Sequence, residues 1–268
     1  MSALISTTGS APARGDLGRP VHAEWTKFRT VRSSFWTLVI SAALTVGIGA
    51  GFLPFVIDTY DGSVDEAAAW AVEEGWWFEG LHIGILAVMI LGVLVASSEY
   101  GTGTIRATLA AVPSRTRVLA AKAVSFSLVT LVTGAIQAAA AFLMARPILA
   151  DRSIDVPISD PGAWRGVAMA TLAIVGAGLF GLAAGLLIRH TAGAIGAVVA
   201  VMFVVPILAL LLPPSWDTVV KTLPSFAMNG MFTPSANTFS AGTATAVFAA
   251  YAAVLVAAAG ILFAHRDV

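Results

Sequence analysis

An all-α, polytopic membrane fold is predicted for this 268-residue chain by three observations. Hydrophobic residues make up 58% and charged residues only 11%, where an ordinary soluble domain carries roughly a quarter charged residues. Mean hydropathy is +0.88. Six apolar runs, bounded by charge, Pro or Gly, each approach the roughly 20 helical residues that cross a hydrocarbon core of about 30 Å. The balance of 15 basic and 15 acidic residues gives no net charge, so nothing global attracts nucleic acid, and partners have to be read from local charge. The absence of cysteine excludes disulfides and thiolate metal sites and leaves the compartment open.

Residues 1–20 are polar and rich in Ser, Thr, Gly and Pro, and are not expected to act as a secretory signal. They are expected to form a disordered cytoplasmic tail, leaving residues 21–268 as a single six-span domain. Residues 21–33 can form a helix with Val21, Trp25, Phe28 and Val31 or Arg32 along one face. This helix is expected at the membrane interface; the alternative is a basic flank of the first span. The spans are expected over residues 35–57, 77–97, 118–144, 167–188, 194–212 and 245–264. An even number puts both termini on one side. Eleven of the 15 basic residues fall on that side and 11 of the 15 acidic residues on the other, so the positive-inside rule makes both termini cytoplasmic in a multi-pass protein of the cell membrane.

Between the first two spans, residues 58–80 are acidic, and Ser63 and Glu66 have capping-box spacing for a short external helix from Val64. Seven acids there read as a solvated cap rather than a calcium loop, which needs oxygen ligands at alternating positions around a Gly. Residues 213–244 are broken by Pro213, Pro214, Pro224 and Pro234 among Phe and Met side chains. Such a stretch is expected to be re-entrant, with an exposed loop as the alternative. Pro206 should kink the fifth span.

Several tempting motifs dissolve. Gly176, Gly178 and Gly181 have dinucleotide-fingerprint spacing but lie inside an apolar helix, not at a strand-to-helix turn. They read as close helix packing, as do the GxxxG pair Gly181 and Gly185, and Gly47, Gly49 and Gly51 in the first span. His22, His82, His190 and His265 are scattered and look interfacial. No GxSxG or HExxH motif is present, so catalytic, cofactor and metal residues are none. The lysines follow Thr26, Ala121 and Val220, so none belongs to a GxxxxGK[ST] phosphate loop. A chain driven by ATP would need a separate ATPase.

The segment from Glu99 to Lys122 is the most informative. Ile105, Thr108, Leu109 and Val112 recur at helical spacing, with Arg106 elsewhere on the surface, and Gly101 and Gly103 permit the turn into this short helix. Pro113 stops it and Ser114 can cap the next helix. Arg115 and Arg117 fall at headgroup depth, and Lys122 can snorkel from one turn further in.

Glu99, Gly103-Thr104, Leu109, Pro113-Ser114-Arg115 and Lys122, together with the opening Glu24-Trp25-Thr26-Lys27-Phe28-Arg29-Thr30, give a chain that resembles the permease subunits of type-2 (ABC-2) ATP-binding cassette transporters, especially exporters. The resemblance covers nearly the whole chain. It implies a permease without enzymatic activity that pairs with a second permease subunit, in a homodimer or a heterodimer. Each permease subunit would be bound to a cytoplasmic ABC ATPase subunit, which binds the ATP. It implies that Glu99, Gly103, Thr104, Ile105, Arg106, Leu109, Val112, Pro113, Ser114, Arg115 and Lys122 couple the permease to that ATPase, with Glu24, Lys27 and Arg29 in a secondary role. In this reading Ile105, Leu109 and Val112 form a short cytoplasmic coupling helix docking on the ATPase, Arg115 and Lys122 hold the loop to the lipid bilayer, and Glu99 pairs with Arg106 or a partner's base, with a simple cytoplasmic anchor at the end of the second span as the equal alternative. The strongly acidic first external loop departs from the family and names no substrate. The competing expectations are an ion-gradient-driven transporter or channel, and a non-transporting membrane assembly factor.

Overall fold

The computed structural model describes residues 17–235 and 238–265. Most of the tail expected over residues 1–20 lies outside the described residues, as do Arg266 and Asp267. In chain order the helices are α1 (Gly18–Thr30), α2 (Arg32–Asp58), α3 (Val64–Glu74), α4 (Leu81–Gly101), α5 (Thr104–Ala111), α6 (Arg115–Ala150), α7 (Pro161–Ile188), α8 (Thr191–Val199), α9 (Val205–Ala209), α10 (Asp217–Thr222), α11 (Pro224–Phe232) and α12 (Ala241–His265). No strand occurs among the described residues. Six helices are long and apolar enough to cross a membrane, at α2, α4, α6, α7, Thr191–Ala209 and α12. Each overlaps one expected run.

α7 lies at the centre, packed against α4, α6 and α12, while α2 packs on α4 and α6. The close approach of α4 and α7 depends on glycine. A Cβ on Gly181 would strike the backbone of Met89, and one on Gly185 would stand 2.7 Å from the Val93 carbonyl, so the GxxxG pair serves packing within the chain. In α2 only Gly49 does this, 2.8 Å from the Trp77 carbonyl, whereas Gly47 and Gly51 face open space. Of the three glycines expected to serve packing in α2, Gly49 does so within the chain.

α6 is longer than its apolar run. Its 36 residues span about 54 Å at 1.5 Å per residue, more than the roughly 30 Å of a bilayer core. The fifth span does not simply kink at Pro206. Residues Ala200–Val204 form a π-helical turn, and α9 begins with Pro206 in its first turn. A proline lacks an N–H and its ring crowds the carbonyl four residues back; the widened turn relieves both.

At one end of the bundle, α3 starts after Ser63 as its spacing predicts, but Ser63 makes no side-chain capping bond. Asp58, Asp61, Glu66 and Glu73 are exposed, in keeping with a solvated acidic cap. The turn Trp76–Phe78 is different: all three aromatic side chains are buried, with Trp77 and Phe142 ring centroids 5.0 Å apart and Phe78 and Phe232 5.9 Å apart. Phe232 ends α11, whose residues Ala227, Met228 and Met231 are also buried against α7 and α12. The Pro-broken stretch thus contributes a packed helix, while Pro214–Trp216 and most of α10 stay at the surface.

Candidate functional site

The opposite end of the bundle carries α1, α5 and the chain between α4 and α6. α1 separates from α2 at Val31, whose backbone is extended. Its inward edge differs from the sequence reading. Glu24 is buried and Val21, Lys27 and Phe28 are half-buried, whereas Trp25 and Val31 are exposed. Val21 and Phe28 of the expected stripe face inward beside a buried carboxylate that the sequence reading did not place there. Phe28 meets the Phe126 ring of α6 at 5.9 Å, and Ser125 Oγ donates to the Val21 carbonyl at 3.3 Å.

Glu24 is buried because it has partners. Lys122 Nζ donates to Glu24 Oε2 at 2.9 Å and to Glu99 Oε1 at 2.9 Å. Lys27 Nζ donates to Glu24 Oε1 at 2.6 Å and to Glu99 Oε1 at 2.7 Å. Two acids and two bases form a closed, neutral quartet. The side chains of Lys122, Glu24 and Glu99 are only 3%, 6% and 9% exposed, and that of Lys27 is 44% exposed. Charges so buried persist only when paired and hydrogen-bonded. For Lys27, burial works to lower the pKa, but the hydrogen bonds and fields of Glu24 and Glu99 outweigh it and hold the ammonium above its ordinary value.

Two expectations are corrected here. Lys122 does not snorkel; its amine turns into the protein. Glu99 pairs with Lys122 and Lys27, not with Arg106, which is exposed. The quartet fastens α1 to the helices on both sides of the α5 loop.

α5 itself packs inward. Gly103, at φ +71°, turns the chain from α4 into α5, a conformation open to glycine without strain. Ile105 is buried against Val118 and Phe263, with Leu109 and Val112 half-buried beside them. The stripe expected to dock on a partner is therefore covered by α6 and by the end of α12. What α5 exposes is Thr104, Arg106, Ala107, Ala110 and Ala111, followed by Pro113. Ser114 precedes α6 but makes no side-chain capping bond to it; its hydroxyl lies 3.1 Å from that of Thr116. Arg115 reaches across to donate to the Phe263 carbonyl at 3.0 Å and lies 3.5 Å from that of Ala264. It thereby supplies donors and positive charge to the C-terminal end of α12, where carbonyls lack helical partners. Arg29 is exposed and outside the quartet.

Sequence reasoning missed the residues that complete this end. The Arg189 guanidinium lies 5.1 Å from the centroid of the Tyr100 ring, and the hydroxyls of Ser97 and Thr191 are 2.8 Å apart, tying the turn between α7 and α8 to the end of α4. Phe263 could have been suspected only from its terminal place in an apolar run. Between α1, α4 and α5 lies a cavity of about 440 Å³ bordered by Glu24, Lys27, Glu99 and Lys122.

Among the described residues no group of His, Cys, Asp and Glu has the arrangement of a metal site. No family model matches the chain, and no curated protein sequence matches it.

Proposed function

We propose that this chain is the permease subunit of a type-2 ATP-binding cassette exporter, moving a substrate with ATP hydrolysed by a separate cytoplasmic ATPase. The observation that carries the proposal is the quartet of Glu24, Lys27, Glu99 and Lys122, which joins α1 to both flanks of α5. A push on a freely hinged surface loop would dissipate locally. A push on α5 is instead passed to α1, α4 and α6, because separating them would strand buried charges.

In this reading the end holding α1 and α5 is cytoplasmic, as the segregation of basic residues argues. The ATPase meets the exposed side of α5, through Thr104, Arg106, Ala107 and Ala110, while Ile105, Leu109 and Val112 act from inside by fixing α5 on α6 and α12. A second permease subunit supplies the other half of the pathway. α11, packed among α7 and α12 at the far end, closes the outer mouth as a re-entrant helix. The quartet lies at the ends of α4 and α6 rather than at mid-span, which gives a proton relay across the bilayer little support.

The test is co-purification from native membranes. The full chain should bring down a soluble protein that carries a GxxxxGK[ST] loop and hydrolyses ATP, and should have no ATPase activity alone. Arg106→Asp combined with Ala110→Asp should release that ATPase while leaving the chain folded in the membrane. Retention at wild-type levels would sink the docking face. Transport by the chain alone in ATP-free liposomes would replace the proposal with the gradient-driven alternative.

A further inference from the structure

A second cavity lies where α1 gives way to α2. The chain is extended at Val31 between the two helices, and a hollow of about 400 Å³ opens beside this break, within the range of roughly 300–1,000 Å³ typical of small-molecule sites. Phe28, Leu38 and Val129 line it and are half-buried, whereas the rings of Trp25, Phe35 and Trp36 line it and are exposed. Exposed aromatic surface gathered at one place marks a contact with something.

The charge around this cavity is of one sign. Arg29, in the last turn of α1, and Arg32, the first residue of α2, both border it and are exposed, and none of the ten residues around it is acidic. Neither arginine side chain holds an ion pair or a hydrogen bond among the described residues. Glu24, the acid nearest in sequence, is buried in the quartet and bonded to Lys27 and Lys122. Two cations on long, flexible stems thus border one cavity without a counter-charge. The apolar residues indicate which anion they await. Phe35, Trp36 and Leu38 lie in the first turns of α2, a helix long and apolar enough to cross a membrane, and tryptophan beside arginine at the start of a span is the pattern of headgroup depth. A free phosphate would neutralise the arginines and leave these apolar side chains uncovered; a phospholipid would do both.

We propose that this cavity holds an anionic phospholipid, its phosphate bound by Arg29 and Arg32 and the upper part of one acyl chain lying against Phe35, Leu38 and Val129. Guanidinium groups bind phosphate oxygens through paired, charge-assisted hydrogen bonds, and a basic pocket between membrane helices is a recurring form of site for anionic head groups. The lipid would fill the angle between α1 and α2 and so hold α1 against the membrane from the side opposite the solvent. The site does not depend on the chain being a transporter subunit.

The experiment places the full chain in phosphatidylcholine nanodiscs that carry a small fraction of phosphatidylglycerol with a photoreactive diazirine high on one acyl chain. Mass spectrometry should find the label at the start of α2 and near Val129, and unlabelled phosphatidylglycerol should compete it while added phosphatidylcholine and soluble glycerol phosphate do not. Arg29→Gln and Arg32→Gln should each weaken apparent binding about fivefold and together roughly 30-fold. Both side chains are exposed and unpaired, so these variants stay folded. Arg19→Gln, which removes an exposed arginine of α1 that does not border the cavity, should change binding less than about twofold. Val129→Trp, which fills the cavity without touching a charge, should remove the label. Equal labelling by a photoreactive phosphatidylcholine overturns the proposal, as does a loss in Arg19→Gln as large as that in Arg29→Gln, which would mean a diffuse attraction to basic surface. Competition by glycerol phosphate equal to that by phosphatidylglycerol would replace the lipid with a soluble anion.

Discussion

The two ends of this bundle hold a short helix in opposite ways. α11 is fixed by apolar side chains, with Ala227, Met228, Met231 and Phe232 buried and no charged residue among its nine. α1 is fixed by charge, through Glu24 and Lys27 on its inward edge and Glu99 and Lys122 opposite them. Apolar packing is a sum of many small contacts and yields gradually when one is trimmed. A buried quartet behaves as one object, since removing any member leaves the others uncompensated. The end that is expected to receive force is thus the one built to move as a unit.

Removing the most buried member should have the largest effect. Lys122→Met keeps the length of the stem but leaves Glu24 and Glu99 with only the half-exposed Lys27, and is expected to cost about 3–5 kcal/mol. Chemical unfolding of the purified protein measures the loss, and limited proteolysis should show α1 cut first. Adding Glu24→Gln should cost much less than it does alone, because the partner has already gone, with a coupling of about 0.5–3 kcal/mol. Additive losses would show that the four charges do not act together.

At the other end Met231→Ala empties a packed site and is expected to cost about 2–5 kcal/mol. It shares no partner with Lys122, so the double variant should be additive to within about 0.5 kcal/mol. Strong coupling between these two changes would mean that the ends communicate, and the contrast between them would have to be redrawn.

The spans were the most legible part of the fold, because crossing a membrane demands only length and apolarity, both local properties. Residues 167–188 and α7 end at the same Ile188. The quartet was half legible. Glu24, Lys27, Glu99 and Lys122 could each be singled out as a charge beside an apolar run, but Lys27 and Glu99 lie 72 residues apart and Glu24 and Lys122 lie 98 apart, and nothing local pairs them. α5 shows the same limit. Periodicity correctly put Ile105, Leu109 and Val112 on one face, yet it cannot say what covers a face; Val118 and Phe263 do. Trp77 and Phe78 open the second expected span, but their burial depends on Phe142 and Phe232, which are distant in sequence and which no local pattern pairs with them.

Helix caps extend the comparison at a smaller scale. At α7 the Asp160 carboxylate accepts from the Ala163 amide at 2.9 Å, with Pro161 occupying the first turn. At α6 Ser114 stands in the corresponding place and makes no such bond. Asp160→Ala should therefore cost about 1 kcal/mol. Ser114→Ala should stay within about 0.5 kcal/mol, with α6 held at that end by Lys122 and by the contact of Arg115 with α12. Equal losses in the two variants, measured by chemical unfolding, would show that α6 depends on its cap after all.

The smallest effect expected is a dependence on pH that only the charged end can show. Lys27 has a folded-state pKa raised by Glu24 and Glu99. A base whose pKa is raised on folding contributes stability that is fully present below its unfolded value, about 10.4 for lysine, and that is lost as pH rises through the folded value. The wild-type unfolding midpoint should therefore decline above about pH 10.4 more steeply than that of Lys27→Met, and the two should run parallel at neutral pH. The difference is modest, since an ion pair with a half-exposed partner is screened by water. Met231→Ala should leave the alkaline limb unchanged, because no group in its surroundings loses a proton there through Lys27. An alkaline decline that persists in full in Lys27→Met would place the titrating group elsewhere.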